Sequence, residues 1–90
     1  MKRVYAFSIG TQFKQTISLP RDAVILSIHP KDGAAVLYAL VSPEASFVQH
    51  TLYAFTTGVG LVEKSVANLR YLVTVSIHNG SNVVHYFLKV

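Results

Sequence analysis

Six clusters of turn-forming residues divide this chain into apolar runs that are short for helices and well sized for strands. They fall at Ile9-Gly10-Thr11, Leu19-Pro20-Arg21-Asp22, Pro30-Lys31-Asp32-Gly33, Ser42-Pro43-Glu44, Thr57-Gly58-Val59-Gly60 and Asn79-Gly80-Ser81-Asn82. The runs between them are rich in Val, Ile, Leu, Tyr, Phe and Thr, residues that suit a pleated, half-buried surface. The spacing predicts strands near Lys2–Ile9, Lys14–Ser18, Ala23–His29, Ala34–Val41, Phe47–Thr56, Arg70–His78 and Asn82–Lys89. Glu63–Leu69 is the one segment that reads as a short helix. The fold class is therefore all-β, a small antiparallel meander, sandwich or partial barrel of about six or seven strands in a single domain over residues 1–90.

Two hairpins follow from local chemistry. Asp32-Gly33 between two apolar runs supplies the positive-φ positions that tight hairpins need, and Asn79-Gly80-Ser81-Asn82 joins the last two strands similarly. Alternation then assigns faces. In the sixth strand Tyr71, Val73, Val75 and Ile77 share one face, and Arg70, Leu72, Thr74, Ser76 and His78 the other. In the seventh, Val84, Tyr86 and Leu88 oppose Val83, His85, Phe87 and Lys89. A turn of two or four residues puts His85 on the face of Thr74 and Ser76; a three-residue turn inverts the assignment.

The run Ala34–Val41 does not alternate. Ala35, Leu37, Ala39 and Val41 line one side, Val36, Tyr38 and Leu40 the other, and neither is polar. Such a strand is either enclosed within a sandwich or covered by a second copy of the chain. The composition favours the second arrangement. With 51% hydrophobic residues in 90 positions, a single small core has more apolar surface than it readily hides. The expectation is a homo-oligomer, a dimer or tetramer.

Absence of cysteine excludes a disulfide framework and thiolate chemistry. After Met1-Lys2-Arg3, polar Ser8, Gly10, Thr11 and Gln12 interrupt any leader-like apolar core, and no run approaches a bilayer span. An intracellular protein with no membrane partner is expected. The net charge of +4 permits an anionic partner without requiring one.

Catalytic signatures are missing. The acids Asp22, Asp32, Glu44 and Glu63 sit at turns or in the possible helix, which suits solvation better than a paired general acid and base. The reading is a non-enzyme that uses no cofactor and no metal, with His50, His78 and His85 as strand residues. The ten aromatics are placed mostly in the core, and basic residues are too scattered for a long nucleic acid. A small anionic nucleotide needs less. Thr57 and Gly58 offer a hydroxyl and a glycine-freed amide near Tyr53 and Lys64, while Arg70, His78 and His85 approach from the last hairpin.

Tyr38-Ala39-Leu40-Val41-Ser42-Pro43, Phe55-Thr56-Thr57-Gly58, Arg70-Tyr71-Leu72 and Val83-Val84-His85-Tyr86-Phe87 occur here in an order that resembles a family of short proteins of tailed bacteriophages. The resemblance begins at Val4-Tyr5-Ala6-Phe7 and covers most of the chain. Tyr38 stands where that family tends to have Trp, Ser42 where it has Asp, and Lys89-Val90 where its end is acidic. The resemblance implies a protein of the host bacterial cytoplasm that acts in immune evasion. It would be an anti-CBASS sponge, binding cyclic oligonucleotide messengers between subunits without cleaving them. In that role Arg70 and Lys64 would neutralise phosphates, Thr57, Gly58 and His85 would donate hydrogen bonds, and Tyr53 would stack on a base. A virion or assembly component and an inhibitor that binds a host enzyme are the alternatives.

Overall fold

The computed structural model describes residues 1–60, 67–77, 80 and 82–90. Among them the regular structure is β1 (Arg3–Ile9), β2 (Lys14–Pro20), β3 (Val24–Lys31), β4 (Ala34–Val41), β5 (Phe47–Thr56), β6 (Leu69–Ile77) and β7 (Asn82–Lys89). These strands form two antiparallel sheets, in the orders β1-β4-β3 and β2-β5-β7-β6. The all-β expectation holds, and of the three arrangements considered it is the sandwich that forms. Four strands match within two residues at each end, and β4, β5 and β7 match fully. Of the short helix expected over Glu63–Leu69, residues 63–66 lie outside the described residues. Ala67 and Asn68 form a turn, with Asn68 at φ 62°, and Leu69 already opens β6.

The core lies between the sheets. Leu37, Ala39 and Val41 of β4 pack with Ile17 and Leu19 of β2, Leu52 and Ala54 of β5, Val75 and Ile77 of β6, and Val84, Tyr86 and Leu88 of β7. The smallest dimension of the backbone is 15 Å, as two layers about 10 Å apart require. Burying so many branched side chains at roughly 1.5–3 kcal/mol each is what offsets the entropy of ordering the chain.

The tight turn between β3 and β4 forms as the sequence predicts. Lys31 pairs with Ala34 around a two-residue loop in which Asp32 (φ 49°) and Gly33 (φ 78°) are both left-handed. That backbone twist matches the twist of the flanking strands. The β6–β7 hairpin pairs Ile77 with Asn82 and Thr74 with His85, so the even register is the one adopted. His85 therefore shares a face with Thr74 and Ser76.

Strand β4 is the centre of the three-stranded sheet. Its inward side is sealed, as expected from Ala35, Leu37, Ala39 and Val41. Its outward side is uneven: Val36 is buried, Leu40 half-buried and Tyr38 exposed. Val4 of β1 and Val24 of β3, both paired with Leu40, flank it and are also exposed.

Two register skips break the alternation, one between Ile25 and Ser27 of β3 and one between Tyr71 and Val73 of β6. Each inserts an extra residue, Leu26 or Leu72, that has no direct partner. The second skip corrects the face assignment of β6. Val73, Val75 and Ile77 face inward, but Tyr71 pairs with outward-facing Phe87, and Arg70 pairs with inward-facing Leu88.

Candidate functional site on the outer face of the four-stranded sheet

Cross-strand register places two rows of side chains beside one another on the outside of the four-stranded sheet. Lys14, Tyr53, Phe87 and Tyr71 form the first row, one residue from each strand. Phe55, His85 and Thr74 form the second. Alternation at a period of two is what aims all of them outward, opposite the Leu52, Ala54, Tyr86 and Leu88 of the core.

The aromatic members touch. Ring centroids are 5.4 Å apart for Phe55 and Phe87, 5.5 Å for Tyr71 and Phe87, and 6.1 Å for Tyr53 and Phe55. Phe13, from the loop before β2, closes the group at 5.3 Å from Phe55 and 5.7 Å from Tyr53. Each such pair contributes about 0.5–1.5 kcal/mol beyond its buried area. Within this group Tyr53 and Phe55 are buried, Phe87 is half-buried, and Phe13 and Tyr71 remain at least 50% exposed. Lys14 Nζ lies 5.9 Å from the Tyr53 ring centroid, a cation–π contact at one end of the row. The aromatics were expected mostly in the core; Tyr86 belongs to the inter-sheet cluster with Phe7 packed against it, whereas Tyr53 and Phe55 are buried on the outer face instead. A residue-type preference for strands does not say which side of the sheet is covered.

A chain of polar contacts runs along the same face. His85 Nε2 lies 2.6 Å from Thr57 Oγ1, and His85 Nδ1 lies 2.8 Å from Thr74 Oγ1. Thr74 Oγ1 lies in turn 2.8 Å from the Tyr71 hydroxyl. Both imidazole nitrogens are thus engaged. A neutral ring has one donor and one acceptor, and hydroxyls on both sides rotate to satisfy either tautomer. The ring is fixed in orientation, while Thr57 and Tyr71 at the ends of the chain have spare capacity.

Thr57 is placed by a turn in which Val59 N–H donates to the Thr56 carbonyl (3.2 Å). Gly58 occupies the position with φ 89°, which a residue without Cβ adopts at no steric cost. Thr57 N–H donates to the Val83 carbonyl (3.1 Å), which anchors the turn to β7. Between this turn and the strands is a cleft of about 270 Å³, lined by Phe55, Thr57, Gly58, Val59, His85 and Phe87.

Residues 1–90 match a family described as Domain of unknown function (DUF7352). The chain belongs to this family. No curated protein and no solved structure matches it. In this DUF7352 domain the six residues singled out from sequence divide clearly. Thr57, Gly58 and His85 line one cleft, and Tyr53 adjoins it through Phe55. Arg70 does not join them, because the skip at Leu72 turns it to the inward side of β6. Lys64 lies outside the described residues, as does His78. Phe13, Phe55, Tyr71, Thr74 and Phe87 were missed as site residues. For Thr74 and Phe87 the signal was present, since the even register already placed them beside His85. Among the described residues no group of three His, Cys, Asp or Glu side chains gathers as metal ligands. No helix among them is long and apolar enough to cross a membrane.

Proposed function

We propose that the outer face of the four-stranded sheet binds a nucleotide. The domain would act by sequestration, as a homo-oligomer that holds a cyclic oligonucleotide messenger without cleaving it. The observation that carries this reading is the fixed His85, hydrogen-bonded through both nitrogens, beside a row of touching aromatic rings. A planar base stacks on such rings at about 1–3 kcal/mol and is oriented at its edge by the Thr57 and Tyr71 hydroxyls that the His85 chain holds in place. Thr57 and the Gly58 turn supply polar groups on one side of the cleft, and Lys14 supplies a cation at the end of the row.

The size of the cleft supports the oligomeric part. A volume of about 270 Å³ is below the range typical of drug-sized ligands and suits one base. A cyclic dinucleotide carries two. Two protomers related by a two-fold axis would offer two equivalent half-sites to the two equivalent halves of such a ligand. The resemblance to short phage proteins supplies the biological setting of this proposal, evasion of a nucleotide-signalled defence in the bacterial cytoplasm. A second reading, a virion or assembly component, draws on the exposed apolar side of β4 and its neighbours. Abundant copies in purified particles would favour it.

The test is equilibrium binding of labelled cyclic di-AMP, cyclic di-GMP and cyclic GMP–AMP to the purified protein, followed by recovery of the ligand after denaturation. Retention of one of them, its return intact, and loss of retention in Thr57→Val and His85→Ala support the reading. No retention across the three removes it, and recovery of a hydrolysed product replaces sequestration with catalysis.

A further inference from the structure

The flank of the sandwich where β3 and β6 face each other holds a larger cavity, about 440 Å³, whose lining shares no residue with the Thr57–His85 cleft but meets it where Tyr71 touches Phe87. Its walls are the segments Ala23–Ile28 and Arg70–Val73. These are the edge strands of their respective sheets, so each carries a row of backbone N–H and C=O groups outside its own ladder. Both register skips found among the described residues fall within these two walls, at Leu26 and at Leu72.

The skips have two consequences. Opposed bulges interrupt the regular spacing of donors and acceptors along both edges, which works against insertion of an extended peptide strand and leaves room for a discrete small molecule. The skip at Leu72 also places Arg70 on the inward parity, paired with Leu88, at the mouth of a gap otherwise lined by Ala, Val, Ile, Leu, Ser and Tyr. Among the described residues Arg70 is the only charged one in that lining, and no described carboxylate lines the cavity beside it. A guanidinium at the rim of an apolar pocket recognises a carboxylate or phosphate through paired N–H donors.

We propose that this seam is a second binding site, for a small molecule with an apolar body and one anionic group, with Arg70 as its anion contact. The seam shares Tyr71 with the aromatic face, but its anion contact, Arg70, and its β3 wall are not part of that face, so such a molecule can bind here whether or not that face binds nucleotides.

Octanoate and octanol serve as probes that differ only in the charged end. Calorimetric titration of each, with amide shifts mapped by NMR, is carried out on the wild-type protein, Arg70→Gln and Arg70→Lys. The expected result is octanoate binding with shifts confined to residues 23–28 and 70–73. Arg70→Gln would weaken octanoate about ten-fold or more, Arg70→Lys would restore part of the loss, and the weaker octanol affinity would stay unchanged. Because Arg70 is exposed, an unaltered amide spectrum outside the seam verifies that each variant is folded. Octanoate that fails to bind, binds Arg70→Gln as well as wild type, or shifts only the Thr57–His85 region would overturn the proposal.

Discussion

The hydroxyl of Tyr86, in the middle of β7, donates a 3.0 Å hydrogen bond to the carbonyl oxygen of Gly10, just beyond β1. This bond joins the two sheets across 76 positions of sequence. Gln15 of β2 grips the same residue twice, accepting from Gly10 N–H (3.1 Å) and donating from Nε2 to the Gly10 carbonyl (3.0 Å). The crossing from one sheet to the other is thus fixed by side chains from the second sheet.

Removal of the hydroxyl should cost little at neutral pH. In Tyr86→Phe the Gly10 carbonyl keeps its Gln15 donor, so no buried acceptor is orphaned, and about 1 kcal/mol is expected from urea unfolding. Alkaline pH separates the variants further. Burial raises the pKa of Tyr86 above its ordinary value of 10.0. The folded state therefore holds the proton after the unfolded chain has released it. The Tyr86 contribution is full below pH 10 and is lost as pH rises through the folded-state value. Wild-type stability should fall more steeply than that of Tyr86→Phe in this alkaline window.

Leu37 is fully buried between the sheets, and Leu26 protrudes at a bulge with about half its surface exposed. Leu37→Ala should destabilise by about 2–5 kcal/mol, since a cavity remains where the side chain was. Leu26→Ala should stay within about 0.5 kcal/mol. Denaturant midpoints measured side by side check the contrast; equal losses would mean that the sandwich interface is not where the stability resides.

Gly33 sits at φ 78° in the two-residue turn between β3 and β4. Gly33→Ala should cost about 1–2 kcal/mol because Cβ meets the following carbonyl in that conformation. Asp32→Asn should be nearly neutral, since Asn tolerates the left-handed region well. Thermal unfolding of the two variants distinguishes this local strain from a general sensitivity of the hairpin.

The exposed apolar side of the three-stranded sheet bears on assembly. Val24 and Val4 flank Leu40 there, and Tyr38 lies between β1 and β3 on the same face. If copies of the chain associate through it, Val24→Asp should shift the mass measured by light scattering toward a single protomer, with strand content unchanged. An oligomer indifferent to this charge would place its interface elsewhere.

Much of this architecture was legible in the sequence, for identifiable reasons. Turn residues marked the ends of the first six strands, and Asp32-Gly33 supplied the positive-φ positions of its hairpin, whereas the turn at Asn68 that opens β6 was read within a helix. The last turn left two registers open, and the even one, which places His85 against Thr74, is settled by the strand pairing. The bulges were not legible, because Leu26 and Leu72 are ordinary strand residues and carry no glycine or proline signature. Their effect was decisive for two residues: Arg70 left the face of His85, and Tyr71 joined it. The aromatic row was misplaced for a related reason, since alternation separates two faces without saying which one the other sheet covers.

The outer face of the four-stranded sheet is the proposed binding surface, and amide-resolved NMR titration with a cyclic dinucleotide tests that most directly. Shifts should cluster at residues 53–58, 71–74 and 83–87, saturate at one ligand per two protomers, and vanish in His85→Ala. Saturating ligand that leaves those amides unmoved, or moves instead the outer side of β1, β4 and β3, would contradict it.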